Sequence, residues 1–267
     1  MKLKVNNKTV YVYTGTKGLI PEQDTIVFVH GAGLDHTVWL LQSRYFAHHG
    51  WNVVALDLPG HGHSHGPALS AIETMADWVV QLMDGLGIEQ AAVVGHSMGS
   101  LVTLETGARH PQRVSRLALL GTSIPLAVSE PLLNAAKNND HAAFDMITLW
   151  GHGHAAQLGG HPVPGMWMIG NTVRLLEHSP PGVLYADLTA CNQYQTGLVS
   201  ARQLHCPVLM VLASQDRMTP VAIAEELIHS IGDLHTVILD ACGHMMLAEQ
   251  PDQVLDALKT FLFGGQN

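Results

Sequence analysis

The chain is poor in positive charge, in cysteine and in long apolar runs, and each shortage removes a class of function. Its 13 lysines and arginines face 22 aspartates and glutamates, a formal net charge of −9. Nucleic acid and anionic membranes are bound through basic surfaces, so neither is an expected partner. Cys191, Cys206 and Cys242 are an odd number with no short spacing, which points to thiols in a reducing compartment rather than a disulfide framework. No apolar run approaches the roughly 20 residues of a membrane span. The start, Met1-Lys2-Leu3-Lys4-Val5, leads into polar Asn6-Asn7-Lys8, not into the apolar stretch of a signal peptide. A cytoplasmic location is the default expectation. Internal repeats, low-complexity tracts and flexible linkers are missing as well.

What is present can build a sizeable core: 47% of the 267 residues are apolar, enough for one large α/β domain or two smaller ones. Strand-like runs fall at about 2–6, 9–14, 25–30, 52–57, 90–95, 114–120, 206–213 and 235–240. Helix-like stretches fall near 38–49, 71–86, 98–109, 220–230 and 252–263. The opening pair reads as a hairpin. The later alternation predicts an α/β fold, a mostly parallel eight-stranded sheet covered by helices on both faces, with the hairpin at an antiparallel edge. Residues 124–203 break the rhythm with helix-like stretches near 130–150 and 181–193 and a Gly/His/Pro-rich loop at 151–165. The expected organisation is therefore a core of residues 1–123 and 204–267 with a helical insertion, 124–203, after the sixth strand.

Four loops at predicted strand ends carry reactive residue types. Gly95-His96-Ser97-Met98-Gly99 lies between the apolar run Ala91–Val94 and a helix-like run. It places a serine on a turn too tight for larger neighbours, with backbone strain of roughly 1–3 kcal/mol. The Met98 amide, at the start of the helix, lacks an intrahelical acceptor and can face a developing oxyanion. By itself the pentapeptide fits a structural turn as well as a nucleophile. Asp216 follows the apolar run Val208–Ala213, where it can orient a histidine or simply cap the helix beginning near Pro220. His244 follows Thr236–Leu239 behind Gly243; among 18 histidines only this position distinguishes it. His96 is a poor base for Ser97, because neighbouring side chains on a sharp turn point apart. His30-Gly31-Ala32-Gly33 closes the strand Thr25–Val29 and reads either as a Gly-rich turn or as a source of oxyanion amides. Ala32 is the first choice there and Gly33 the second, with a donor worth roughly 2.7–4 kcal/mol in the transition state.

In the chain order serine, aspartate, histidine, these segments resemble the α/β-hydrolase superfamily, in its serine-nucleophile, lid-bearing esterase-like branch. Asp57-Leu58-Pro59-Gly60-His61-Gly62-His63-Ser64 adds a further phrase of that family. The resemblance runs from the His30 loop to the closing helix and is weakest between about Ile124 and Gln203. It implies Ser97 as nucleophile, Asp216 as acid, His244 as base, and Ala32 with Met98 as the oxyanion amides. It also implies that the insertion is a lid. A serine at position 97 disfavours the epoxide- and haloalkane-cleaving branches, which use an aspartate there.

The expected activity is cleavage of a small to medium, largely apolar carboxylic ester through an acyl-enzyme. Activity should rise with pH as the histidine loses its proton. Lactone or carbon–carbon bond hydrolysis and slow-turnover ligand binding are the alternatives. Gly33, Trp39, Met146, Trp150, Met166 and Trp167 are the expected substrate contacts, since methionine and aromatic side chains suit an irregular apolar pocket. No cofactor is expected. No metal is expected either, because His61, His63 and His65, or His152, His154 and His161, lack supporting carboxylate or cysteine ligands at metal-site spacing. The expected partner is a small-molecule substrate, and an apolar lid surface would let two copies pair as a homo-oligomer.

Overall fold

Four of the central strands are mostly apolar and buried from end to end, which is what a sheet covered on both faces demands. The computed structural model describes residues 1–160, 165 and 167–264. Within them the strands are β1 Lys2–Val5, β2 Lys8–Tyr13, β3 Thr25–Val29, β4 Asn52–Leu56, β5 Ala91–His96, β6 Val114–Leu120, β7 Val208–Ala213 and β8 Leu234–Leu239. They form one sheet in the order β1-β2-β4-β3-β5-β6-β7-β8. The β1–β2 and β2–β4 pairings are antiparallel and the rest parallel. β3, β4, β5 and β7 are buried along their whole length, whereas the edge strand β8 is mostly accessible.

Helices α1 (Leu40–His48), α2 (Ile72–Gly85) and α3 (Met98–Arg109) precede β6. Between β6 and β7 lie α4 (Glu130–Lys137), α5 (Ala142–Gly151), α6 (His154–Gln157), α7 (Met168–His178), α8 (Val183–Gln193) and α9 (Gly197–Arg202). The chain closes with α10 (Val221–Ser230), α11 (Met246–Glu249) and α12 (Pro251–Phe263). Two apolar clusters sandwich the sheet. One joins α2, α3 and α10 through residues such as Met75, Leu101 and Leu227; the other joins α1 and α12 through Phe46, Val254 and Leu258. Among the described residues, no helix is long and apolar enough to cross a membrane.

The inserted helices pack on one another through a third cluster that includes Leu132, Ile147, Leu176 and Leu188, and this cluster reaches Leu34 and Met245 of the core. The stretch expected to be helical over 130–150 is two helices, interrupted where Asn139 adopts φ 52°. α6 occupies part of the expected 151–165 loop, and α7 lies where no helix was expected. Gly170 and Asn171 in the first turn of α7 are weak helix formers, so packing rather than local propensity secures it.

Register sets the working edge. Val29 pairs with Gly95, His96 with Leu120, and Leu120 with Val211. The loops after β3, β5, β6, β7 and β8 therefore all leave the sheet at its C-terminal edge, where open α/β sheets place their ligands.

Candidate active site

The turn that follows β5 is determined by contact. A Cβ on Gly95 would strike the Gly99 carbonyl, and one on Gly99 would strike the Val29 carbonyl, so only glycine fits either position. Ser97 between them has φ 57° and ψ −123°, a left-handed conformation that costs a non-glycine residue of order 1–3 kcal/mol. Its amide donates to the Leu120 carbonyl (2.9 Å). The side chain faces a cavity of about 140 Å³ whose wall includes Ala32, His96, Ser97, Thr219 and His244.

His244 Nδ1 lies 2.7 Å from Asp216 Oδ2, and both residues are buried. Thr219 Oγ1 donates to the same carboxylate oxygen (2.6 Å), and the amides of Met218 and Thr219 donate to Oδ1 (2.8 and 2.7 Å). Burial works against the Asp216 charge, but the His244 charge and the hydrogen bonds from His244 and Thr219 outweigh it. They hold the carboxyl well below the usual carboxylate range. An ionised Asp216 fixes the proton of neutral His244 on Nδ1, which leaves Nε2 as the basic nitrogen. Nε2 has no hydrogen-bond partner among the described residues.

Two loops brace the imidazole. His96 Nε2 donates to the His244 carbonyl (2.8 Å), consistent with the expectation that His96 does not point at the Ser97 hydroxyl. Burial, then the nearby His244 charge, pushes the His96 imidazole down to about 3. Gly121, at φ 58°, leaves room for the ring: a Cβ there would lie 3.1 Å from His244 Cε1. On the other side, Glu249 Oε2 accepts from Gly243 N (3.1 Å) and Gly153 N (2.9 Å). The Met245 amide donates to Gly151 (2.8 Å). The histidine loop is thus tied to the inserted helices.

The two favoured oxyanion amides differ from the third in one respect. Met98 N heads α3 and lacks an intrahelical acceptor. Ala32 borders the cavity and its amide has no hydrogen-bond partner among the described residues. Gly33 N is engaged, donating 2.8 Å to Asp187 Oδ2 on α8, so it is not a free oxyanion donor and Gly33 does not line the cavity.

Of the expected substrate contacts, Trp150 borders the cavity. Trp39 does not: it is fully buried beneath the sheet, its ring 4.9 Å from that of Phe28. Met146 packs among the inserted helices without reaching the cavity wall. Trp167 is 71% exposed and stands on the outside. Met166 lies outside the described residues, as does His161. The wall is instead completed by residues the sequence did not single out, among them Leu34, Leu132, Ile147, Leu188 and Met245. Arg217 also lines it and has no acidic partner among the described residues. A second cavity, of about 200 Å³, shares Leu34, His96 and Met245 with the first.

His61, His63 and His65 do not converge on a common point. Among the described residues, one group brings three metal-type ligand atoms together, namely Asp35, His36 and Asp57. The Asp57 carboxylate there already accepts from His36 N, His36 Nδ1 and His63 N.

The sequence family described as alpha/beta hydrolase fold matches residues 24–153. A pimeloyl-[acyl-carrier protein] methyl ester esterase of Aromatoleum aromaticum is 31% identical over 85% of this chain and 93% of its own. An (E)-2-((N-methylformamido)methylene)succinate hydrolase of Acinetobacter baylyi is 24% identical over 96% of this chain and 95% of its own. The crystal structure of an enol-lactonase from Burkholderia xenovorans superimposes with a TM-score of 0.86 at 24% identity, covering 98% of this chain and all of that one. That likeness speaks for the fold alone. The chain belongs to the alpha/beta hydrolase family.

Proposed function

We propose that this hydrolase cleaves small to medium, largely apolar carboxylic esters through an acyl-enzyme on Ser97. The observation that carries the reading is that one cavity is lined both by a strained Ser97 and by His244, whose Nδ1 is held by Asp216 and whose Nε2 is unpartnered among the described residues. His244 accepts the Ser97 proton as the hydroxyl attacks the ester carbonyl, and the amides of Ala32 and Met98 stabilise the oxyanion. The imidazolium then protonates the leaving alkoxide. Water, deprotonated by the same histidine, attacks the acyl-enzyme and releases the acid.

One observation favours a second reading, an ester or lactone that carries its own carboxylate. Arg217, which has no acidic partner among the described residues, brings a cation to the wall of a cavity that is otherwise mostly apolar. Carboxylates bind such a guanidinium through charge-assisted hydrogen bonds.

The test is a substrate panel with wild type and Ser97→Ala: neutral aryl esters, the matching hemisuccinate ester, a lactone, an anilide and a dienoic diketone. The expected result is ester turnover that Ser97→Ala abolishes. Preference for the hemisuccinate or the lactone would favour the second reading. A stoichiometric burst without turnover would show a slow binding protein and overturn both.

A further inference from the structure

The loop that carries Ala32 is held from the inserted helices by an ion pair to which the mechanism above gives no part. Asp187, on α8, is fully buried, and its Oδ2 receives two donors: Gly33 N at 2.8 Å and His61 Nε2 at 2.8 Å. Its Oδ1 has no partner among the described residues, so both bonds converge on one oxygen. Gly33 has φ 67°, and a Cβ there would lie 3.0 Å from Leu184 Cδ1 and 3.1 Å from Leu176 Cδ2. Helices α7 and α8 therefore press directly on the residue next to Ala32.

The protonation of the pair follows from its neighbours. His61 Nδ1 lies 3.1 Å from the Pro59 carbonyl and Nε2 faces the Asp187 carboxylate. Both neighbours accept, so both nitrogens donate and the ring is an imidazolium. The adjacent His30, with ring centroids 4.8 Å apart, shows the opposite state. Its Nδ1 donates to the Gly31 carbonyl (2.9 Å) and its Nε2 accepts from Leu58 N (3.1 Å), which requires a neutral ring. Burial, then the His61 charge, pushes His30 down to about 4. Burial opposes the His61 charge too, but Asp187 outweighs it and raises that group above the ordinary histidine value. The groups facing the pair are Cys191 from α8, Asp57 from the loop after β4, and His30 from the loop after β3.

We propose that Asp187 and His61 are positioning residues: by fixing the Gly33 amide, the pair aims the neighbouring Ala32 amide into the Ser97 cavity. The role rests on the ester-hydrolase reading of that cavity. It couples the seating of the inserted helices to the oxyanion site, so that the donor is in place when α8 is docked. A donor displaced by a fraction of an ångström stabilises the transition state less and affects substrate binding little.

The experiment compares wild type, Asp187→Asn, His61→Gln and the double variant, each checked for folding by circular dichroism. The readouts are kcat and KM for p-nitrophenyl butyrate, and the rate at which an aryl alkylphosphonate modifies Ser97. In Asp187→Asn, kcat and the phosphonylation rate should both fall about 10–100-fold, with KM changed less than about threefold. The double variant should be no slower than Asp187→Asn, because one unit is broken either way. An active wild type with an unaffected folded Asp187→Asn, or an effect confined to KM, overturns the role of the pair alone. A wild type that neither turns over the ester nor is phosphonylated overturns the hydrolase reading and this role with it. If neither variant folds, the imidazole 15N shifts of the wild type decide. A doubly protonated buried histidine at pH 7 supports the pair, and its absence overturns it.

Discussion

His96 donates from Nε2 to the carbonyl oxygen of His244 across 2.8 Å, so the residue before the candidate nucleophile holds the backbone of the candidate base. The two loops come from β5 and β8, and this bond fixes their separation. His96 is neutral at any physiological pH, because burial and the His244 charge push it down to about 3. Its Nδ1 is left without a partner among the described residues. His96→Phe keeps the ring volume and removes the donor. We expect kcat to drop about 10-fold, as a misplaced general base costs rate rather than binding, while KM stays near wild type. His96→Gln, which restores a donor of similar reach, should recover most of the loss.

The same histidine makes a prediction about stability against pH. An unfolded histidine titrates near ~6.5, whereas folded His96 titrates at about 3 and folded His30 at about 4. Below pH 6.5 the unfolded chain binds protons that the folded one refuses, so stability must fall with pH. Both contributions are complete above about pH 6.5 and are lost as pH falls towards the folded values. Asp216 adds a loss at still lower pH, since its carboxyl is depressed below the ordinary value. The urea midpoint should decrease monotonically across pH 6, 5 and 4, below the range in which the raised His61 works in the opposite sense, and His96→Phe should flatten the slope. A midpoint independent of pH over that range would contradict the buried neutral rings.

Asp216 and Ser97 are separable in the size of their effects. Asp216→Asn keeps the shape and the contacts with Thr219 but presents an amide that can hold the wrong tautomer of His244. A loss of about 10⁴-fold in kcat is expected by comparison with serine-protease triads. Ser97→Ala should cost about 10⁶-fold. Single-turnover kinetics with an aryl ester check both, and only Ser97→Ala should abolish the acyl-enzyme burst altogether.

The residues that could be read in the sequence are those whose signal is local. Ser97, Asp216 and His244 each follow a short apolar run, and register alone carries them to one edge of the sheet. The strands were legible because a doubly covered sheet requires uninterrupted apolar segments. Trp39 was misplaced because an aromatic just beyond the Ala32 loop fits a pocket wall as well as a core, and only the three-dimensional path of the 3-10 turn His36–Trp39 decides. α7 was missed because Gly170 and Asn171 weaken its first turn. Asp187 and His61 are 126 residues apart, and nothing in either neighbourhood announces the other. Such a pairing follows from how the insertion docks, which no local pattern encodes.

Glu249 was another silent position. Its Oε2 accepts from Gly153 N and Gly243 N, bridging the inserted helices to the histidine loop. Burial raises its carboxyl above the ordinary value, against the pull of those two amides. Glu249→Ala leaves two N–H groups without an acceptor, each worth roughly 1–3 kcal/mol if they stay buried. We expect a lower urea midpoint and a reduced kcat. Glu249→Gln keeps an acceptor oxygen in place and should retain most of both. Equal losses in the two variants would mean that the charge, rather than the acceptor geometry, matters.

The cavity beside Ser97 sets an expectation for substrate size. At about 140 Å³, walled by Leu132, Ile147, Trp150 and Leu188, it has room for a short acyl chain. Each buried methylene contributes roughly 0.8 kcal/mol, or about fourfold in kcat/KM, until the walls are reached. Across p-nitrophenyl acetate to octanoate, kcat/KM should therefore climb and then fall. Trp150→Ala removes the largest wall side chain and should move the optimum to longer chains, whereas Ile147→Phe should move it towards acetate. Opposite shifts in the two variants would place the acyl chain in this cavity. An optimum that ignores both changes would place it elsewhere, with the neighbouring 200 Å³ cavity beyond Leu34 and Met245 as the next wall to mutate.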